Sequence, residues 1–310
     1  MIRVKFLNAM FLCLIGAGVF SCNNPKQDVV HVPEETRTKY KFIKENPENA
    51  QELSFDDASW ETISCPHTFN DIDTFDDLSH GHHDGEDNHW RGTVWYRKHF
   101  KLPEEDTGKK VYIEFESVRQ IADVFINGKH IGKNQTGFIP FGFDLTPYLK
   151  FGENNVIAVK VNNDRGDHFR DNFPLVWHHE HWHPNHGGIY RNVFLHVMEP
   201  LHITLPLYDN LETLGTYVYA ENISAENADV TINAEVQNEF PEAKNVVYEA
   251  KVIDNDGKVV AVACSEKSMA AGEKFIFSAT TSVLNPNRWY TRHPYMYKVE
   301  TILKVDGTAI

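Results

Sequence analysis

Residues 124–163 read VFINGKHIGKNQTGFIPFGFDLTPYLKFGENNVIAVKVNN, and this stretch decides the fold. Apolar and polar residues alternate in it over short runs, which is the period of a β-strand with one buried face. Asn127-Gly128 separates two such runs and predicts a two-residue hairpin turn, because both turn positions require a positive φ angle. The stretch therefore predicts consecutive antiparallel strands joined by short connections.

The same pattern continues on both sides. Strands are predicted at 93–102 and 109–118 before this stretch and at 189–199 after it, with no useful amphipathic helix among them. Several short strands with long loops and no helical crossovers favour a jelly-roll-like β-sandwich. We assign it to residues 55–200 and expect it to resemble a galactose-binding domain.

Two regions flank this sandwich. Residues 22–54 are polar and contain three prolines, so they are predicted to form a tether with a short helix near 39–46. Beyond Pro200, seven short apolar runs follow one another, punctuated by turns such as the one at 254–257. Seven strands in about a hundred residues are typical of an immunoglobulin-like β-sandwich, which we assign to residues 201–310. The predicted fold class is therefore all-β.

The first 21 residues predict export. Arg3 and Lys5 precede a short apolar run that is too short for a comfortable membrane span. Val19-Phe20-Ser21-Cys22 resembles the lipobox of bacterial lipoproteins, in which the cysteine receives the lipid; an ordinary secretory leader is the alternative. We expect a periplasmic or surface protein that meets the membrane only through a lipid at Cys22. The net charge of −14 argues against a nucleic-acid partner.

Residues 168–186 are the strongest candidate for a binding site. They hold six histidines and two tryptophans and end at Gly187-Gly188, directly before a predicted strand. A segment this rich in aromatic and hydrogen-bonding groups, held between strands, is typical of a binding loop on a rigid scaffold. Indole faces surrounded by carboxylate, amide and imidazole groups suit a sugar. The alternative is that the tryptophans cap a core and the histidines are surface residues.

Several motifs in order resemble a known family. They are PHTFN at 66–70, GTVWYR at 92–97, the stretch 124–163, and HWHPNHGGIYRNVFLHV at 181–197. Together they resemble the N-terminal sugar-binding domain of glycoside hydrolase family 2, which includes β-galactosidases, β-glucuronidases and β-mannosidases. Residues 201–310, with Asn287-Arg288-Trp289 and the run 293–297, resemble the immunoglobulin-like domain that follows it in that family.

The resemblance implies a third domain, a (β/α)₈ barrel with two catalytic glutamates in a retaining mechanism. Asn238-Glu239 matches the dipeptide of the acid/base glutamate but follows a predicted strand, so we assign no catalytic residue to this chain. Asp306-Gly307 opens a turn for which we expect the returning strand to be missing. We therefore expect a truncated or split gene product that is inactive alone, with the barrel downstream or on a partner chain.

The resemblance also implies which residues hold the sugar. In the family, the loop before the GGIYR strand reaches the mouth of the active site. Where the family often has Arg-Trp-Tyr, this chain has Glu180-His181-Trp182-His183, which suggests an unusual glycan. The predicted carbohydrate contacts, carried over by position, are Asp171, Asn172, Trp177, Glu180, Trp182 and His183.

The histidines also suggest metal binding as a second function. A further cluster, HGHHDGEDNHW at 80–90, contains residue types that bind zinc, but no fixed spacing forces its ligands to converge. We therefore assign neither a metal nor a cofactor. Three functions remain open: the front part of a β-galactosidase-like exo-glycosidase, a free-standing carbohydrate-binding lipoprotein, and a metal-binding surface protein. The expected partner is a glycan substrate.

Overall fold

The computed structural model describes residues 39–69, 92–163 and 187–310. They divide into two compact units: residues up to Val197 together with Asp209–Leu211, and Met198–Tyr208 together with Glu212–Ile310. Both units are built from antiparallel sheets, as the alternating pattern predicts. Within the described ranges, the helical elements are two single turns of 3₁₀-helix, at Glu104–Asp106 and Thr146–Tyr148. None of the described helices is long and apolar enough to cross a membrane.

The first unit is a sandwich of two sheets. Its strands are β1 Tyr40–Ile43, β2 Glu61–Ile63, β3 Thr93–Lys101, β4 Lys110–Phe115, β5 Ile121–Ile126, β6 Lys129–Asn134, β7 Phe141–Asp144, β8 Asn154–Asn162 and β9 Val193–Met198. One sheet has the order β2-β1-β3-β8-β5-β6, and the other has the order β7-β4-β9. The strands predicted at 93–102, 109–118 and 189–199 are all present within these bounds.

The core of this unit lies between the two sheets. Val94 and Tyr96 of β3 and Val124 of β5 belong to the same buried cluster as Ile113 and Phe115 of β4. They come from alternate positions of their strands, because successive side chains of a strand point to opposite faces. The predicted hairpin is confirmed: Asn127 and Gly128, between β5 and β6, have φ angles of 49° and 84°.

The outer face of the larger sheet is also covered, in part by residues assigned to the tether. The helix expected near 39–46 is wrong, because Tyr40–Ile43 forms β1 and pairs with both β2 and β3. Behind it, Trp60 and Ala50 pack on Trp95. This sheet therefore begins well before residue 55.

The second unit is a separate sandwich. Its strands are β10 Leu201–Ile203, β11 Thr216–Glu221, β12 Asn227–Asn238, β13 Lys244–Ile253, β14 Val259–Met269, β15 Lys274–Leu284, β16 Lys298–Val305 and β17 Thr308–Ala309. In one sheet β12 pairs with β10, β11 and β15, and the other sheet has the order β14-β13-β16-β17. All seven predicted strands are present, and the inward side chains of six of them form one buried cluster, whereas β11 is mostly exposed.

Two details of the second unit bear on the sequence interpretation. Asn238 is fully buried, and its side-chain amide donates to the carbonyls of Glu242, Met269 and Ala270. The asparagine of the Asn238-Glu239 dipeptide is thus a structural residue. After the turn at Asp306-Gly307 the chain returns as β17 and pairs with β16, so the expectation that no returning strand follows is wrong.

Candidate functional site

Two sequence segments rich in histidine, 70–91 and 164–186, are anchored together at both ends. Phe69, which precedes the first segment, donates from its backbone N–H to the carbonyl of Gly187, which follows the second, at 3.0 Å. Gly92 and Asn163 form the other junction. The Gly92 N–H donates to Asn163 Oδ1 at 2.9 Å, and the Asn163 N–H donates to the Gly92 carbonyl at 3.2 Å. Both segments therefore leave and re-enter the sandwich at neighbouring points.

The diglycine that follows the second segment is held between two other stretches of the backbone. The Gly188 N–H donates to the Arg119 carbonyl at 2.6 Å, and the Arg119 N–H donates back at 2.9 Å. On the other side, the His67 N–H donates to the carbonyl of Ile189 at 2.7 Å. These three hydrogen bonds, which we call the clamp, all join backbone groups. Main-chain geometry therefore sets the point at which the chain rejoins the sandwich.

Both glycines are required by close packing. A Cβ atom on Gly187 would lie 2.0 Å from the Phe69 ring. On Gly188, where φ is +123°, it would lie 2.6 Å from the Tyr96 hydroxyl and 2.7 Å from the His67 carbonyl oxygen. A residue with a side chain meets both a steric clash and an unfavourable backbone angle here. The clamp therefore requires glycine at both positions.

A polar pair lies against the clamp. His67 Nδ1 and the Tyr96 hydroxyl form a 2.9 Å hydrogen bond, and the Phe42 ring packs against both rings at centroid distances of 4.7 and 5.0 Å. Burial, with a smaller contribution from Cys65, raises the pKa of Tyr96 well above its usual value. The phenol therefore stays neutral, which fits a structural hydrogen bond better than acid–base chemistry.

Arg119 combines burial with unused hydrogen-bonding capacity. The residue is 4% exposed, and its buried Nε and Nη2 have no hydrogen-bond partner among the described residues. The guanidinium carbon lies 4.9 Å from the centroid of the Phe138 ring. Burial lowers the pKa of the guanidinium, and the nearby Tyr190 opposes that effect. Reasoning from the sequence missed this residue, because a single arginine at the start of a strand carries no motif.

The predicted sugar contacts lie outside the described residues. This holds for Asp171, Asn172, Trp177, Glu180, Trp182 and His183, for the lipidation candidate Cys22, and for the histidine cluster at 80–90. The structure places the flanks of their segments and leaves these assignments as predictions. Among the residues that it describes, no group of three or more histidine, cysteine or acidic side chains is arranged to hold a metal ion.

Family models match almost the whole described chain. Residues 39–199 match the model for the sugar binding domain of glycosyl hydrolases family 2, and residues 214–310 match a second model of the same family. The chain belongs to glycoside hydrolase family 2. The resemblance carried by the motifs at 66–70, 92–97, 124–163 and 181–197 is thus confirmed.

Two glycosidases are similar to this chain over most of its length. A β-glucuronidase of Formosa agariphila is 70% identical over 87% of the chain, which covers 28% of that protein. A β-galactosidase of Thermoanaerobacter pseudethanolicus is 31% identical over 91% of the chain, which covers 33% of that protein. The matches lie in the N-terminal part of these relatives, so the chain spans about a third of their length or less.

Solved structures show the same relationship. A β-glucuronidase from glycoside hydrolase family 2, 69% identical, superposes with a TM-score of 0.84 over 89% of this chain and 29% of its own. A β-glucuronidase of Bacteroides uniformis, 28% identical, superposes with a TM-score of 0.74 over 88% of this chain and 30% of its own. The chain therefore corresponds to the N-terminal portion of family 2 glycosidases.

Proposed function

We propose that this portion belongs to a β-glucuronidase and supplies its sugar-binding loops. The observation that carries the proposal is the 70% identity to the β-glucuronidase of Formosa agariphila over 87% of the chain. The β-galactosidase relative is 31% identical, so the similarity favours glucuronides over the galactosides expected from the motifs. Hydrolysis itself is proposed for the whole protein, of which this chain corresponds to the N-terminal part.

In this proposal the segment 168–186 contacts the glycan. Trp177 and Trp182 stack on sugar rings, and the polar groups that direct hydrogen bonds to hydroxyls are Asp171, Asn172, Glu180 and His183. The clamp at Gly187-Gly188 supports this role, because a binding loop needs a fixed root to present its side chains reproducibly.

The proposal is tested by titrating the chain with glucuronides, galactosides and mannosides, followed by tryptophan fluorescence or nuclear magnetic resonance. Because the site is open without the rest of the protein, the expected dissociation constant for a glucuronide is on the order of millimolar, about −4 kcal/mol. Trp182→Ala should remove most of the binding, whereas His82→Ala should have little effect.

Two results would contradict this function. If no glycoside perturbs the protein, the sugar assignment fails. If zinc perturbs it at micromolar concentration and His181→Ala abolishes that effect, the segment binds metal rather than sugar, and the histidines of 80–90 become candidates for the same site.

A further inference from the structure

The connection between β6 and β7 starts at the end of the larger sheet where the two histidine-rich segments are rooted. The last residue of β8, Asn162, lies opposite Thr93, the first residue of β3, and Ile121, the first residue of β5. The last residue of β6, Asn134, pairs with the same end of β5. Residues 135–140 therefore begin beside the junction at which one segment enters β3 and the other leaves β8.

This connection exposes an aromatic ring on a fixed base. Phe138 is 45% exposed. The carbonyl of the preceding residue, Gly137, accepts hydrogen bonds from the Ser117 hydroxyl at 2.8 Å and from the Tyr190 hydroxyl at 2.9 Å. Tyr190 comes two residues after Gly188, so the stretch that forms the clamp also holds the base of Phe138.

A buried side chain packs on the ring of Phe138. Arg119 is 4% exposed, and its guanidinium carbon lies 4.9 Å from the centroid of the ring. A guanidinium over an aromatic face is attracted by the electron-rich ring, and more strongly when it is desolvated. The backbone of Arg119 exchanges two hydrogen bonds with Gly188. The orientation of the ring is therefore tied to the clamp.

An exposed ring that is already held in place is suited to stacking on a sugar. A pyranose presents C–H groups on its faces, and the face of an aromatic ring is apolar and electron-rich. A held ring also loses little conformational freedom when a ligand packs on it. Single exposed apolar residues are common, so the argument depends on the fixed orientation of Phe138 and on its place beside the clamp.

We propose that Phe138 stacks on a pyranose ring of the glycan. The inference rests on the proposed glycan-binding function and adds to it a contact residue outside the segment 168–186. Arg119 acts through Phe138 as a positioning residue, because its guanidinium packs on the ring while its backbone is bonded to the clamp.

The test titrates the full chain with methyl β-glucuronide and follows the phenylalanine ring protons by nuclear magnetic resonance. Nuclear Overhauser effects should connect the ring protons of Phe138 with C–H protons of the sugar, and Phe138→Leu identifies the resonances of this ring. Phe138→Leu keeps an apolar side chain but removes the flat ring, so it should weaken binding about fivefold. Phe138→Tyr keeps the ring and should bind within about twofold of the wild type.

Tyr148→Leu is the matched control. Tyr148 is 40% exposed, and its carbonyl accepts a hydrogen bond at 3.0 Å from the side chain of Asn127, in the hairpin between β5 and β6. That hairpin lies at the opposite end of the larger sheet. This variant therefore removes an equally exposed aromatic ring away from the clamp, and the affinity should stay within about twofold of the wild type.

Each failure has its own signature. If the wild type binds no glycoside, the glycan-binding function itself is contradicted. If the glucuronide binds without an Overhauser effect to Phe138 and with equal affinity in Phe138→Leu, only the assignment of Phe138 fails, and its ring contacts another protein surface. An equal loss in Tyr148→Leu, or a loss in Phe138→Tyr as large as in Phe138→Leu, would also overturn stacking. If Phe138→Leu does not fold, the Overhauser effects in the wild type decide, with Phe138→Tyr identifying the resonances.

Discussion

Arg97 fastens the segment before β2 to the outer face of the larger sheet. Its guanidinium is fully buried and donates to Asp57 and to the carbonyls of Ala50 and Glu52. His99 Nε2 shares the same carboxylate oxygen at 2.8 Å. A buried charge that loses its partner is strongly destabilising, so this carboxylate is expected to matter far more than an exposed one.

Asp57→Asn should therefore lower the free energy of unfolding by about 3 kcal/mol, because it leaves the Arg97 charge without its counter-ion. The matched control is Glu153→Gln, which breaks an exposed ion pair with Lys150 at 3.8 Å and should cost less than about 0.5 kcal/mol. Urea unfolding followed by circular dichroism measures both variants. Equal effects would contradict the anchoring role of Arg97.

The same carboxylate should make stability depend on pH. Burial alone would raise the pKa of Asp57, but hydrogen bonds from Arg97 and His99 outweigh it and hold the pKa below its usual value. Because the pKa is lower in the folded state, this stabilisation is complete above about pH 5 and is lost as the pH falls through the folded pKa. Urea unfolding between pH 6 and pH 3 should show a fall that Asp57→Asn makes shallower. A parallel fall in both proteins would contradict this assignment.

Gly188 should be intolerant of substitution. Gly188→Ala places a methyl group against Tyr96 and the His67 carbonyl and keeps a φ angle of +123°, so it should destabilise the protein by about 3 kcal/mol. Gly257→Ala is the control, because its φ of +83° is similarly unfavourable but no atom lies within 4 Å of the new Cβ. It should cost only about 1 kcal/mol, the backbone strain alone. Thermal unfolding compares the two, and equal costs would show that packing at the clamp is unimportant.

At the scale of single residues, the sequence identified structural glycines better than charges. Asn127-Gly128 is recognisable because both turn positions require a positive φ angle, and Gly187-Gly188 because it belongs to the motif at 181–197. Arg97 and Arg119 look like ordinary strand residues in TVWYRKHF and SVRQIADV. Their burial depends on segments distant in sequence that cover them, and no local pattern reports that contact.

Among the elements, most strands were predictable from the sequence, but β1, β2 and β17 were not. Strands such as β4 and β13 follow a two-residue period that reflects one buried face. Tyr40–Ile43 has only four residues, and its strand conformation depends on pairing with β2 and β3, which come later in the chain. The helix expected there failed because this tertiary pairing overrides local preference.

The segment 209–211 contributes to the stability of the first unit through a contact with β7. It belongs to the first unit, where the Gly142 N–H donates to Asn210 Oδ1 at 3.2 Å and the Asn210 amide donates to the Gly142 carbonyl. We expect residues 23–200 to fold cooperatively alone, and residues 23–211 to be about 1 kcal/mol more stable. Asn210→Ala in the longer piece should erase the gain. Circular dichroism that shows residues 23–200 unfolded would contradict the independence of the sandwich.

For the whole molecule, we propose export as a lipoprotein, motivated by the basic and apolar leader and by Val19-Phe20-Ser21-Cys22. The expressed protein should partition with membranes and incorporate labelled palmitate. Cys22→Ser should lose the label, whereas Cys65→Ser, which changes a half-buried thiol, should retain it. Label that persists in Cys22→Ser would contradict lipidation at this cysteine.

The chain alone should not hydrolyse nitrophenyl glycosides. A retaining mechanism needs two carboxyl groups roughly 5 Å apart that face the anomeric carbon, and the family places them in the barrel. Turnover by the purified chain that Glu180→Gln abolishes would overturn this prediction and assign an acid role to that residue.

For the whole molecule, the fold class and the family were accessible from the sequence. The chemistry of the loops was not, because it depends on side-chain positions that sequence patterns do not fix.

The most direct test exchanges this chain with its counterpart in a working enzyme. Residues 39–310 replace the matching N-terminal part of the Formosa agariphila β-glucuronidase, which is 70% identical to this chain. If this chain is the front of a β-glucuronidase, the chimera should hydrolyse nitrophenyl β-glucuronide with kcat/KM within about 10-fold of the parent, a change of about 1.4 kcal/mol in transition-state binding. A folded chimera that loses glucuronide hydrolysis, or that turns over galactoside in preference, would contradict the account.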